Sequence, residues 1–318
     1  MSMEQVKAYW HTFQGTLFYK LVKDTVDGFI DDNVLLYAAS IAFYTIFSLP
    51  AVLILVVFVG GVFYGEQAVQ GQLYSQIETH VGPNIAAQLE NILKNVKIGE
   101  SSALAKTIGI ATLMFSATTV FVNIQIALND IWGVRAKPEK GWLKLILDRV
   151  FSFVVVVSLG LILLASLLVD VVLNAAQDLL EQFFSDYTVY LLQITSFVVL
   201  VALLTTVFTM VYKILPDAHI RWRDVWVGSL VTTVLFALGK QLIGLYLSSS
   251  NLSSAYGAAG SLVVLLIWIY YSSVIFLVGT EFTKAYSHQV GRAIRPKKNA
   301  VRVIKKEIER DTKPKEKV

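Results

Sequence analysis

The sequence has no cysteine among its 318 residues. Disulfide frameworks, thiolate metal sites and cysteine nucleophiles are therefore excluded. Histidine is also scarce: the four present form no HxH or HExxH pair, so a zinc or two-metal hydrolase is not expected. We predict no metal site, no cofactor and no enzymatic activity. The four histidines are His11, His80, His219 and His288.

Charged side chains make up only 16% of the chain and hydrophobic ones 55%. In soluble domains, charged residues make up about 25% and hydrophobic residues roughly 45–50%. This difference indicates an integral membrane protein. The first 30 residues contain no apolar segment followed by a cleavage site, so we expect no removable signal peptide. The sequence also lacks a GxxxxGK[ST] phosphate-binding loop. Energy for any transport would therefore come from a gradient or a partner protein.

The apolar residues lie in long runs. Residues 262–278 carry no charge, are preceded by the small residues 257–261, and are followed by Glu281. A helix of about 20 apolar residues spans the ~30 Å hydrocarbon core, and small residues allow a second helix to pack closely. We predict an all-α integral membrane protein whose transmembrane domain, 34–287, holds six transmembrane helices. These spans 1 to 6 cover about 34–63, 104–132, 145–173, 189–215, 224–247 and 258–286.

Three segments lie outside these spans. Residues 1–33 carry apolar side chains at spacings of three and four, which predicts an amphipathic helix lying in the membrane interface; a soluble helix packed on a small domain is the alternative. Residues 65–103 predict two short amphipathic outer-face helices, interrupted at Gly82-Pro83. Residues 288–318 predict a basic, flexible tail. The apolar stripe of residues 1–33 consists of Val6, Trp10, Phe13, Leu17 and Leu21. Residues Asp31, Asp32 and Asn33 are expected to cap span 1.

Lysine and arginine are distributed very unevenly over the connections. The segments on the side of the two termini hold 22 of them, and those on the opposite side hold two. By the positive-inside rule, both termini are cytoplasmic, and we expect a multi-pass membrane protein. The tail from Lys284 holds twelve basic and four acidic residues. It is interpreted as a solvated segment that fixes topology, or as a contact for anionic lipid headgroups. The expected partners are membrane lipids and envelope proteins, with no nucleic acid.

Polar side chains occur inside several predicted spans, where a charge costs about 2.5–3.5 kcal/mol. Counting from the helix ends predicts an inner polar layer and a sparser outer one, which together are the candidate pathway. Snorkelling side chains in structural ion pairs are the alternative. Pro50 predicts a kink in span 1 that serves either as a hinge or for packing alone. The inner layer contains Asp130, Asp148, Arg149 and Glu281, the outer layer Asp170 and Lys240, and the further candidates are Asn123, Gln125, Asn129 and Gln241.

Four stretches carry a resemblance to a known family. They are AASIAFYTIFSLP (38–50), NIQIALNDIW (123–132), YKILPDAHIRWRDVWVGSL (212–230) and YGAAGSLVVLLIWIYYSSVIFLVGTEF (256–282). Together they resemble the YihY/BrkB family of bacterial inner-membrane proteins. The resemblance implies six helices with cytoplasmic termini, in a multi-pass protein of the bacterial inner membrane. Members have been called "ribonuclease BN" and "virulence factor", and have been linked to envelope integrity and lipid-related transport. The resemblance implies no catalytic or substrate-binding residues.

Two functions are compatible with this sequence. The first is a transporter or flippase of an envelope-related lipid, amphiphile or anionic solute. The second is a non-transporting envelope scaffold that acts through residues 65–103 or the basic tail. A nuclease is not expected, because phosphodiester hydrolysis normally uses clustered carboxylates or histidines, and the segments outside the spans offer no such cluster.

Overall fold

The computed structural model describes residues 16–65, 103–137, 187–249, 256 and 259–304, with isolated positions at 67, 69–71, 74 and 90. Spans 1, 2, 4, 5 and 6 are helices whose ends agree with the predicted ones to within three residues. Span 3 and the outer-face amphipathic helices lie outside the described residues, apart from those isolated positions. The elements are α1 (Leu17–Asp31), α2 (Val34–Tyr64), α3 (Ala103–Ile131), β1 (Val134–Ala136), α4 (Tyr187–Ile214), β2 (Ala218–His219), α5 (Trp222–Ser249), α6 (Gly260–Gln289), β3 (Arg295–Pro296) and β4 (Ala300–Arg302).

Within the described residues, four helices are long and apolar enough to cross a membrane. They belong to α2, α4, α5 and α6. Their candidate spans are Val34–Val57, Phe197–Ile214, Trp222–Leu247 and Leu262–Gln289. The helical membrane protein predicted from composition is therefore confirmed, while the full set of six spans stays a prediction.

Helix α6 packs against α5, α2, α1 and α3. Its contact with α5 depends on glycine. A β-carbon at Gly279 would overlap Thr232, and one at Gly228 of α5 would overlap Thr283. Both glycines therefore let the two helix backbones approach closely, as small residues do between membrane helices.

Helix α1 has two apolar faces. Leu21 and Thr25 are buried on a helix that packs against α6. The predicted stripe is divided, because Leu17 is exposed while Leu21 is buried, and its first three members precede the described residues. A second apolar row, at a spacing of four, is exposed: Phe18, Val22, Val26 and Ile30.

The junction between α1 and α2 differs from the predicted N-cap. Asn33 occupies the cap position with φ 53°, but its side chain makes no cap hydrogen bond. The neighbouring Asp32 instead forms an ion pair with Lys284 of α6. The carboxylate expected to cap α2 therefore ties the helix junction to α6.

Helix α2 continues through Pro50 without interruption. In the preceding turns, Thr45 Oγ1 donates to the carbonyl of Ile41 at 2.7 Å, and Ser48 Oγ donates to the carbonyl of Thr45 at 3.3 Å. Such side-chain bonds to the helix backbone often accompany bending. The proposed hinge at Pro50 stays a prediction.

Two short antiparallel sheets join the connections at one end of the bundle. β1 pairs with β4, Val134 lying opposite Arg302, and β2 pairs with β3, His219 lying opposite Arg295. We call these segments, residues 134–137, 215–223 and 290–304, the clasp. Over 295–302 the structure departs from the predicted flexible tail, because this part of the tail supplies one strand to each sheet.

The main hydrophobic core lies at the clasp end. It includes residues of α2, α3, α4, α5 and α6, together with clasp residues such as Ala218 and Ile294. Ile294 is only 5% exposed. The clasp is therefore part of the folded bundle and not an appendage to it.

Candidate functional site

A buried carboxylate lies between α1 and α6. Glu281 of α6 is 1% exposed, and its Oε2 atom is 3.3 Å from Nζ of Lys284. The same ammonium group donates to Asp32 Oδ2. We call Asp32, Glu281 and Lys284 the carboxylate cluster. Glu281 lies about 12 Å along the helix from the end of α6 at Gln289, inside a candidate span.

Only one Glu281 oxygen is satisfied. Among the described residues, Oε1 is buried and has no hydrogen-bond partner. Leaving a buried acceptor without a partner costs free energy. The backbone of Gly28 covers Oε2 of Glu281, since a β-carbon at position 28 would lie 2.9 Å from the Glu281 Cδ atom. One turn before Gly28 in α1, Asp24 Oδ2 accepts a hydrogen bond of 2.6 Å from Gln289 Nε2. Polar contacts therefore hold α1 over this site.

A second cluster joins α3 to the clasp. Asp217 Oδ2 accepts from Gln125 Nε2 at 3.3 Å and from Asn129 Nδ2 at 3.0 Å. The Asp217 backbone N–H donates to Asn129 Oδ1 at 2.8 Å, and its carbonyl accepts from the Lys297 N–H at 2.8 Å. We call Gln125, Asn129 and Asp217 the amide cluster. It binds the polar half of span 2 to the segment between α4 and β2, and the Lys297 bond extends this link to the residue after β3.

The remaining inner-layer candidates and Asn123 have other contacts or lie outside the described residues. Glu281 pairs with Lys284, which also binds Asp32, whereas Asp148 and Arg149 lie outside the described residues. Asn123 donates to the carbonyl of Thr119 in its own helix. Asp130 is half-buried, and its carbonyl accepts from the Gly133 N–H.

In the outer layer, Asp170 lies outside the described residues. Lys240 is half-buried on α5, and among the described residues it makes no hydrogen bond or ion pair. Gln241 is exposed. The assignment of Asp170 and Lys240 to one outer layer therefore stays a prediction.

Buried hydroxyl groups connect α4, α5 and α6. Tyr212 is fully buried; its hydroxyl donates to the carbonyl of Phe276 at 2.6 Å and lies 3.1 Å from Thr232 Oγ1. Two turns away, the hydroxyls of Thr205 and Thr233 are 3.0 Å apart. Such bonds are a common means of joining membrane helices, and we assign them a packing role.

An apolar groove of about 410 Å³ lies between α4 and α5. Its walls belong to two candidate spans, so we expect it to face the hydrocarbon core of the membrane. It is lined by Phe197, Val198, Val201, Ala202, Thr205, Trp226, Val227 and Leu230.

The described part of the chain contains no group of three or more His, Asp or Glu side chains placed to hold a metal ion. The groups available at the two clusters are carboxylates, amides and one ammonium. They can accept or donate hydrogen bonds and exchange protons. The absence of a cofactor stays a prediction.

Comparison with known proteins identifies the family. The family model described as virulence factor BrkB matches residues 25–303. The chain belongs to the virulence factor BrkB family. The match confirms the resemblance found in the sequence, and it includes both clusters and the clasp as far as Val303.

Relatives of this BrkB-family chain are named as membrane proteins. A UPF0761 membrane protein of Verminephrobacter eiseniae is 32% identical over 259 residues, covering 79% of this chain and 58% of that protein. The chain thus spans less than two thirds of that relative. A UPF0761 membrane protein of Alteromonas mediterranea is 25% identical over 319 residues, covering 96% of this chain and 100% of that one. No solved structure matches the chain.

Sequence reasoning missed three members of the clusters. Its charge suggests that Lys284 belongs to the basic tail, although it follows Glu281 by three residues and therefore lies on the same helix face. The position of Asp32 before span 1 suggests a cap instead of a partner for Lys284. Asp217 follows the proline that ends span 4, and only its position beside a polar helix could have drawn attention to it.

Proposed function

We propose that this BrkB-family chain is a six-span protein of the bacterial inner membrane that transports or flips an envelope-related lipid, amphiphile or anionic solute. Its termini and clasp are cytoplasmic, and it has no enzymatic activity of its own. The observation that carries the proposal is Glu281, a carboxylate on a candidate span that is 1% exposed and keeps one oxygen without a partner among the described residues. Ionisable groups inside membranes usually mark a substrate or ion pathway.

Asp224 is the natural comparison for Glu281. It is 2% exposed, and its Oδ2 atom likewise has no hydrogen-bond partner among the described residues. It lies in the first turn of α5, where the helix dipole stabilises a negative charge. Its burial therefore has a structural explanation. Glu281 lies well inside α6, where the helix dipole offers no such stabilisation.

The chemistry of the cluster fits a polar headgroup. Oε1 of Glu281 can accept a hydrogen bond or a proton, while the Lys284 ammonium, whose side chain is 25% exposed, can attract an anion. The apolar groove between α4 and α5 fits an acyl chain by its lining. Together these features favour a substrate with one polar and one apolar part. Without a phosphate-binding loop, the movement would be driven by a gradient or a partner.

The test uses the purified chain in liposomes with fluorescent lipid reporters. We expect wild type to move the reporter across the bilayer and Glu281→Gln to lose at least tenfold in rate. Asp224→Asn is the matched control, and its rate should stay within twofold of wild type. Undiminished movement in Glu281→Gln would contradict the assigned site. A folded wild type that moves no lipid would favour the scaffold function.

Lys240 supplies a second test, because a cation on a candidate span without a partner among the described residues is also a pathway candidate. Lys240→Met should reduce lipid movement in the same assay, with Leu242→Met at a 63% exposed position of α5 as its control. Asp130→Asn tests the remaining described member of the inner layer. Normal rates in both Lys240→Met and Asp130→Asn would confine the pathway to the carboxylate cluster.

A further inference from the structure

The clasp lies directly beside the candidate membrane spans. Two of these spans end at Ile214 and Gln289, and another begins at Trp222. Besides the strand pairs, backbone bonds close the clasp: Lys137 N–H donates to the Asn299 carbonyl at 2.9 Å, and Val303 N–H donates to the Gly133 carbonyl at 2.8 Å. The clasp is therefore a fixed surface near the level of the headgroups.

All exposed charges of the clasp are positive. The one acidic residue within it, Asp217, is half-buried and bonded to Gln125 and Asn129. The next acidic residue along the chain, Asp224, is 2% exposed. The carboxylates are thus turned inward while the cations face outward. The exposed cations are Arg135, Lys137, Arg221, Arg223, Arg292, Arg295, Lys298 and Arg302.

Aromatic side chains extend the same surface. Trp222 is 57% exposed and Trp226 is 48% exposed, and the Lys213 ammonium lies 5.2 Å from the centroid of the Trp222 ring. Exposed tryptophans beside cations are typical of the membrane–water interface. These side chains support a position of the clasp among lipid headgroups.

Helix α1 shows that positive charge is not a uniform property of this end. Its exposed Lys20 and Lys23 share the helix with exposed Asp27 and Asp31. The exposed charges of α1 therefore balance, whereas those of the clasp do not.

We propose that the clasp binds the headgroups of anionic phospholipids in the leaflet that it faces. Paired strands and the short turn between α4 and α5 hold the backbone that carries these cations. Binding to the bilayer therefore does not require this backbone to become ordered first. Cations held near an anionic leaflet are each attracted to it, and the attraction is weakened by salt. The proposal does not depend on whether the chain transports a lipid.

The experiment uses the delipidated full chain in an uncharged detergent. It is titrated with mixed micelles that contain phosphatidylglycerol or phosphatidylcholine, and bound lipid is counted by native mass spectrometry. We expect wild type to prefer phosphatidylglycerol. Arg295→Gln/Lys298→Gln should weaken that binding on the order of tenfold, whereas the matched pair Lys20→Gln/Lys23→Gln should change it less than twofold. Salt should weaken the binding to wild type.

Four results would overturn the proposal: no preference for the anionic lipid, equal losses in both paired variants, no effect of salt, or tighter binding of a fluorescent oligonucleotide that displaces the lipid. Gel filtration and thermal unfolding check that each variant is folded. If Arg295→Gln/Lys298→Gln does not fold, Arg221→Gln/Arg223→Gln decides instead, because those cations lie outside the strands. An unchanged preference in that pair would then contradict the proposal.

Discussion

The backbone of Gly28 in α1 lies against the carboxylate of Glu281 in α6, so closely that a β-carbon at position 28 would overlap Oε2. This contact closes the carboxylate cluster from the side of α1. Any side chain at position 28 must therefore displace either the helix or the carboxylate.

Gly28→Ala should destabilise the protein by about 1–3 kcal/mol, because overpacking a close contact forces the neighbouring groups to move. Thermal unfolding in detergent measures this. Gly244→Ala is the matched control: no atom lies within 4 Å of its β-carbon position, so alanine should stabilise α5 by about 0.5–1 kcal/mol. Equal effects at both positions would contradict the close approach of α1 and α6.

The amide cluster predicts coupling between α3 and the clasp. Asp217→Ala removes the acceptor of two side-chain amides and should cost about 1–3 kcal/mol. A double-mutant cycle of Asp217→Ala with Asn129→Ala should show a favourable interaction of about 0.5–3 kcal/mol. The same cycle with Asn123→Ala should show almost none, since Asn123 bonds within its own helix. Additive effects in the first cycle would show that the cluster does not form.

Truncation of the tail should depend on where the chain is cut. Removal of residues 291–318 deletes β3, β4 and the buried Ile294, and should lower the unfolding temperature. Removal of residues 305–318 leaves both sheets intact and should not change it. Cutting at 291 therefore cannot separate a scaffold from a transporter, whereas cutting at 305 can. Equal stability of the two truncations would contradict the role of the clasp.

The contact of Gly279 with Thr232 predicts a partial rescue. Gly279→Ala introduces a β-carbon that would lie 2.8 Å from both the Thr232 β-carbon and the Tyr212 hydroxyl, so we expect a loss of about 1–3 kcal/mol. Thr232→Ala removes the nearest atom, the hydroxyl oxygen. The double variant should thus be more stable than the two single losses predict. If the double variant is no more stable than the sum of the two single losses predicts, the helices separate instead of repacking.

Amino-acid composition and the lengths of the apolar runs determined that this is a helical membrane protein. Five described helices coincide with predicted spans because a run of apolar residues needs no tertiary information to become a helix in lipid. The motifs in those runs also determined the family, which the match over residues 25–303 confirms.

Only the tertiary structure decided which polar groups meet. In lipid, hydropathy does not fix the rotation of a helix whose faces are all apolar. Of the polar candidates predicted on span 2, Gln125 and Asn129 are the residues that reach Asp217, whereas Asn123 bonds within its own helix. Asn129 and Asp217 are 88 residues apart, and Lys284 and Asp32 are 252 apart. Such contacts are set by how the helices pack and by the clasp that joins their ends, and the local sequence encodes neither.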